Sequence, residues 1–415
     1  TPPNDLATPD TRRSGGGDAA TTLTDTHKPD DFVEQNLRRN YLAHFVHGTL
    51  GLTGFRLIYA PTFLPAYMQM ITGSSALVGL GQALLQLGGT LSPVIGASRI
   101  EHRKRLLPYA IRTGSMMRLQ ILALAFAGWF LGGALLVAAT LALLFLLGFF
   151  TGSQRVAFQL LMAKVIPIRR RGRLQAWRNF TGGGIAAALS LFAGLYLIAP
   201  NALGNGYATT FFLAFILTSL GLLVLRLVMR EPDAAGAPMR NLRERVRTFP
   251  ALLSHSGYRA FLTVQALVAT ARMSAPFYIL YAGRDLGLDG EIVGIMSFAF
   301  LASDTVSNLV WGYLGDHGGF RTPLLISVLL SASSILLLLF APPAWSVVAF
   351  CGFGAATAGY VMSASTLVLE IGAPEDVPMR LALSTTVEGG LAALGPPVGG
   401  FIVWTIGYAW LFGLS

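Results

Sequence analysis

The feature that most constrains the fold is a succession of apolar runs, each close to the length needed to cross a bilayer. A helix covers the hydrocarbon core in about 20 residues. Runs of this order lie at 40–71, 76–97, 106–130, 134–165, 174–198, 207–229, 259–281, 292–314, 323–340, 345–371 and 381–406. A twelfth begins at Tyr408. Buried helices of soluble domains need no such length. Only 12% of the residues are charged, about half the usual share, and the mean hydropathy is +0.59. The chain reads as an all-α, multi-pass membrane protein whose core is shared with the lipid bilayer.

The loops between the runs alternate in charge. Bases gather at 99–105, at 169–173 and at 230–247, then at Arg321 and Arg380; the intervening loops hold almost none, Arg284 being the exception. Basic loops stay on the cytoplasmic side. The N-terminus is therefore expected in the cytoplasm, with the protein in the plasma (inner) membrane. The same bias accounts for the net charge of +10 without a nucleic-acid partner, and no stacking or zinc motif asks for one. The single cysteine, Cys351, lies in an apolar run and offers neither a disulfide nor a metal framework. Scattered methionines such as Met68, Met70, Met116 and Met117 read as packing rather than as metal ligands. The chain has no GxxxxGK[ST] loop, hydrolase triad or metal cluster. This speaks against an enzyme, a cofactor and ATP as energy source. A gradient remains, most simply of protons.

Residues 1–37 are polar, with Pro2, Pro3, Pro9, Pro29 and the glycines at 15–17. They read as a flexible cytoplasmic tail. A partner protein is expected only if the tail is ordered; otherwise the default is a monomer. Residues 38–230 hold six runs, the first of which Pro61 and Pro65 are expected to kink. In the linker 231–258, Arg240, Arg243, Arg245 and Arg247 alternate with Leu242, Val246 and Phe249, the pattern of an interfacial amphipathic helix. Residues 259–415 form a second bundle that repeats the first. Ala60-Pro61 and Val78-Gly79 recur 215 positions on, as Ala275-Pro276 and Val293-Gly294. Arg173-Leu174 and Gly182-Gly183 recur 207 positions on, as Arg380-Leu381 and Gly389-Gly390. Gly206-Tyr207-Ala208 returns as Gly407-Tyr408-Ala409. Each repeat holds an even number of spans, so both have the same orientation. The expected architecture is two six-helix bundles related by a pseudo-two-fold axis along the membrane normal. The run 207–229 is complete and its counterpart at 408–415 is short, so the last helix is expected to be incomplete.

Between the eighth and ninth runs lies Gly312-Tyr313-Leu314-Gly315-Asp316-His317-Gly318-Gly319-Phe320-Arg321, a polar hairpin rich in turn residues. It resembles the signature loop of the major facilitator superfamily through Gly312, Asp316, Gly319 and Arg321. His317 stands where a permanent base is usual, and Phe320 replaces another. The matching first-half loop keeps Gly96 but has Ile100 at the aspartate position, followed by Glu101. Gly395-Pro396-Pro397-Val398-Gly399-Gly400 is similar to a motif of drug–proton antiporters but sits in the eleventh run rather than the fifth; close helix approach explains it as well. The resemblance covers residues 40–415. It implies a transporter in which two halves rock about a central cavity lined by the first, fourth, seventh and tenth helices.

Charges inside a span usually face a cavity or a partner. Arg56, Arg155 and Arg272 lie roughly 15–24 Å from the basic-loop ends of their helices, near mid-membrane. They belong to runs one, four and seven, and Arg56 and Arg272 are near-equivalent in the repeat. They are the candidate anion-binding residues, with Tyr59, Tyr278 and Tyr360 as cavity aromatics; each arginine has the alternative of pairing inside its own half. Asp304 and Glu388, the acids in the middle of the second-half spans, are candidates for proton coupling. Arg112, Arg118 and Arg178 read as structural pairing or headgroup contact, and His44 and His47 as interfacial. A basic-end gate is expected from Gly312, Asp316, Gly319, Arg321, Glu370, Arg380, Arg171 and Arg173. The leading reading is a proton-coupled secondary transporter of a small organic anion. The alternatives are a drug or amphiphile exporter, and a non-transporting receptor or assembly subunit with a transporter fold.

Overall fold

The structure is a computed structural model that describes residues 27–100, 105–232, 249–371 and 377–415. Most of the 99–105 loop and the arginine-rich part of the linker lie outside these residues, as does the tail up to residue 26. The described residues are helical throughout, without a strand. In the first half, α1 (His27–Tyr59) and α2 (Phe63–Thr72) make one broken span. They are followed by α3 (Ser75–Ile100), α4 (Leu107–Phe130), α5 (Gly133–Val165), α6 (Ile168–Phe192) and α7 (Gly206–Val228). A π-helical turn, Ala193–Ile198, extends α6. In the second half, α8 (Phe249–Ser254) leads into α9 (Ser256–Ala271), a 3-10 segment Arg272–Phe277 and α10 (Tyr278–Leu286). Then come α11 (Gly290–Gly318), α12 (Arg321–Phe340), α13 (Ser346–Glu370), α14 (Val377–Thr405) and the short α15 (Tyr408–Leu414). Among the described residues, seven helices are long and apolar enough to cross a membrane. The protein is an integral, multi-pass membrane protein.

The two broken spans share a cause. Proline has no N–H and its ring clashes with the carbonyl four residues back. Accordingly α1 stops at Tyr59, just before Pro61, and Pro276 lies inside the 3-10 segment that ends α9. Pro65 produces no kink. It sits in the first turn of α2, where a missing N–H has no intrahelical partner to lose. The helix α1 also begins inside the stretch read as tail. Its entry to the membrane is tied down by Asn40, whose amide exchanges two 2.9 Å hydrogen bonds with the backbone of Arg230 just beyond α7. These satisfy the N–H and C=O of Arg230, which lie beyond the helical ladder of α7.

Within the first half α3 packs on α5, and α1 on α6 and α7; within the second, α11 packs on α13. The halves meet along two seams, α3 against α14 and α6 against α11. Backbone approaches backbone in both. A Cβ on Gly194 would lie 2.4 Å from the Cα of Gly294 and from the carbonyl oxygen of Gly290. In the other seam a Cβ on Gly79 would lie 2.2 Å from the Pro396 carbonyl oxygen. In the glycine–proline stretch at 395–400, Pro396, Pro397 and Gly400 thus pack against the first half, while Gly395 and Gly399 pack on Met273 of their own half. These contacts, with the 2.6 Å hydrogen bond from Ser297 Oγ to Thr62 Oγ1, lie away from the basic loops.

Candidate functional site

The breaks in the first and seventh spans position two arginines. Arg56 occupies the last turn of α1, and Arg272 directly follows α9. The last carbonyls of a helix lack intrahelical donors and carry partial negative charge, so a cation is stabilised there. The repeat therefore places the two arginines in equivalent settings, but their acids differ. Arg56 forms an ion pair with Asp304 on α11, across the two halves. Asp304 is buried. Arg272 stays within its own half: its Nη1 is 3.8 Å from Glu388 Oε1 on α14, and its guanidinium lies 5.5 Å from the Tyr360 ring centroid. Glu388 Oε2 accepts a 3.2 Å hydrogen bond from Gln265 Nε2, and Gln265 Oε1 accepts one of 2.6 Å from Ser384 Oγ.

The three aromatics serve different ends. Tyr59 Oη is 2.7 Å from Thr151 Oγ1, at the edge of a pocket in the first half. Tyr278 is a packing residue, stacked on Phe353 with centroids 3.9 Å apart and its hydroxyl 2.8 Å from Ser274 Oγ. Tyr360 is buried, and its hydroxyl has no hydrogen-bond partner.

The pocket has a volume of about 200 Å³ and lies between α1, α4, α5 and α6. Arg118, Arg155, Arg178, His47, Phe55 and Gln154 are among its lining residues. Arg155, expected at a cavity, is exposed. Arg118 is 2% exposed; its Nε and Nη1 each donate a 2.7 Å hydrogen bond, to the carbonyls of Thr218 and Gly114. Its Nη2 is buried without a partner, and its guanidinium lies 5.6 Å from the Phe55 ring centroid. Arg178 runs along α1 where Gly48 leaves room: a Cβ there would fall 1.7 Å from Arg178 Cδ.

Sequence reasoning set Arg118 and Arg178 aside as structural or headgroup residues, and the structure brings both to the pocket of Arg155. A depth count carries the missing signal. Each of the three stands about ten residues, or about 15 Å, from the basic-loop end of its helix. His44 and His47 are buried rather than interfacial, packed on Phe158 with centroids 4.9 and 4.8 Å away.

At the basic-loop end, Gly319 caps α11 with φ +76°, a left-handed conformation that glycine adopts without strain. The Phe320 ring folds over Gly315, where a Cβ would meet it at 2.4 Å. Gly312 faces open space. Asp316, Arg321, Glu370 and Arg173 are exposed and form no ion pair among the described residues. Arg171 is bound to its own chain segment, through the carbonyls of Ile166 and Ala163 at 2.7 and 2.6 Å. Arg380 is buried, and its carbonyl accepts a 2.8 Å hydrogen bond from Tyr258 Oη. Lys164 pairs with Glu231 at 2.8 Å, within the first half.

Residues 260–415 match the family model of the Major Facilitator Superfamily. No curated protein matches the chain. Three solved structures share its fold across nearly the whole length. A nucleoside transporter, NupG, is 14% identical with a TM-score of 0.72, over 90% of this chain and 96% of that one. A D-xylose–proton symporter is 14% identical with a TM-score of 0.69, over 91% and 95%. The human organic anion transporter MFSD10 is 17% identical with a TM-score of 0.60, over 91% and 97%. At such identities the likeness is one of fold.

Proposed function

We infer that this chain, which carries the major facilitator fold along its length and matches that superfamily in sequence over residues 260–415, is a proton-coupled secondary transporter of a small organic anion. In this reading it sits in the inner membrane with its N-terminus and basic loops in the cytoplasm. One observation carries the proposal: the Arg56–Asp304 ion pair joins the two halves, well inside the apolar runs. Halves that rock must make and break whatever joins them. Pulling this pair apart with both charges intact leaves each one poorly solvated, which is costly. A proton on Asp304 removes one charge and frees Arg56, so proton binding and rocking become one event. Glu388, held by Arg272 and Gln265 inside its own half, is the second proton-coupling candidate.

The same geometry moves the argument for an anionic cargo. Arg56 and Arg272 each have an acid, so neither presents a free positive charge. Arg155 has none, and it carries the case for an anion. The D-xylose symporter and the human organic anion transporter, by their names, couple to protons and carry organic anions; they are precedents on this fold. The test is purified protein in liposomes under an imposed pH gradient, with labelled mono- and dicarboxylates as probes. Wild type accumulates a probe, and Asp304→Asn loses accumulation while retaining exchange down a concentration gradient. Failure of wild type to accumulate any of the probes, or unimpaired accumulation by Asp304→Asn, overturns the reading.

A further inference from the structure

We propose that the 200 Å³ pocket within the first half is an oxyanion-binding subsite, in which Arg118, Arg155 and Arg178 together hold the carboxylate or phosphate of a small organic anion. It deepens the transporter reading by giving the cargo's charged end a place, but binding there requires no transport.

Three observations converge on it. The first is charge. Three arginines from α4, α5 and α6 line one small void with His47, and no acid is among the lining residues. Like charges around a partly desolvated void repel, and an anion between them reverses the sign of every interaction. The contrast with the second half is informative: there Arg272 has Glu388 3.8 Å away.

The second is an unused donor. Arg118 spends Nε and Nη1 on backbone carbonyls, which fix its plane, and leaves Nη2 buried without an acceptor. A buried donor without a partner is expensive. An oxyanion in the pocket supplies the missing acceptor, and the fixed guanidinium plane suits a two-bond grip. Gln154, whose Oε1 is occupied by the Thr113 hydroxyl at 2.7 Å, adds an amide to the wall.

The third is construction and size. Gly48 gives up its side chain where Arg178 passes, so the third guanidinium reaches the pocket only because position 48 is bare. A volume of about 200 Å³ falls below the ~300–1,000 Å³ typical of sites for drug-sized ligands. It accommodates a small oxyanion, and disfavours a bulky amphiphile.

The experiment titrates the thermal stability of the purified full-length protein with sodium succinate and, separately, with inorganic phosphate. Sodium chloride at matched ionic strength is the reference. At least one oxyanion should raise the melting temperature saturably beyond the effect of chloride; which one does so separates a carboxylate from a phosphate site. Arg155→Gln and Arg178→Gln should each raise the apparent Kd tenfold or more, and Gly48→Ala should do the same by displacing Arg178. Arg284→Gln, which alters a base stacked on Tyr408 at the opposite end, should titrate as wild type. Arg155 is exposed, so its replacement tests binding without disturbing the fold. The proposal is overturned if neither oxyanion saturates in wild type, or if Arg155→Gln and Gly48→Ala both bind as wild type does. Binding without transport in liposomes would leave the subsite standing and sink the transporter reading. Transport with no oxyanion binding would do the reverse.

Discussion

Arg56 and Asp304 are the side chains on which the two halves most directly depend, because removing either leaves the other charged and poorly solvated. Breaking a buried pair from one side costs about 3–5 kcal/mol, whereas replacing both partners by apolar residues is often neutral. Arg56→Ala and Asp304→Ala should therefore each lower thermal stability markedly, and the double variant Arg56→Met/Asp304→Leu should recover most of the loss. A double variant as unstable as the sum of the singles would show that the pair is not the link. Position along a helix can be counted from the sequence, so Arg56, Arg155, Arg272, Asp304 and Glu388 stand out as charges well inside apolar runs. Partnership does not. It depends on which way each helix is rotated and on what packs against that face, and neither is written in residue spacing. Arg118 and Arg178 were lost for that reason: their helices sit outside the expected cavity lining, yet their side chains line the first-half pocket of Arg155.

At the scale of elements, the fold is controlled by where helices break and where they touch. Proline reads clearly where it interrupts a span, as Pro61 does between α1 and α2 and Pro276 does in the 3-10 segment, and misleads when it falls in a first turn, as Pro65 does. The start of α1 was hidden because its anchor, Asn40 on the Arg230 backbone, joins residues 190 apart in the chain. The α6–α11 seam is one of two places where backbone meets backbone between the halves at the end away from the basic loops. Gly194→Val should push it open, since even a Cβ there would overlap the Gly294 backbone. A cysteine placed by Thr62→Cys, at a site buried beside Ser297, reports the opening in a Cys351→Ser background. Its alkylation by a water-soluble maleimide should be at least tenfold faster with Gly194→Val than without. Equal rates would mean that the seam does not set closure at this end.

At the scale of the whole molecule, the two-bundle plan was legible because duplicated dipeptides keep their offsets of 215 and 207 residues, and the structure places them at matching breaks and seams. The state of the cycle was not legible, since one sequence encodes every state. Cross-half contacts of Gly194, Gly79 and Thr62 hold the halves at the end away from the basic loops. At the other end Asp316 and Glu370 stand exposed and, among the described residues, in no ion pair. The bases available to meet them are Arg171 and Arg173 of the first half and Arg321, five residues from Asp316 in the chain. Rocking that closes this end would bring the two sets together. Exposed ion pairs contribute about 0–1 kcal/mol each, so no single pair locks the gate. Asp316→Asn should reduce the population closed at this end by no more than about fivefold, the equivalent of ~1 kcal/mol. Asp316→Asn/Glu370→Gln should reduce it further. Salt should imitate the mutations, because exposed charges are screened beyond ~3 Å at 1 M. Spin labels on Gly172→Cys and Gly318→Cys, one in each half at exposed positions open enough for a side chain, measure the closure in a Cys351→Ser background. The short-distance population should fall in the order wild type, single variant, double variant, and high salt should bring the wild-type distribution close to that of the double. A distribution indifferent to both charge and salt would remove electrostatics from the gate and leave its closure to packing alone.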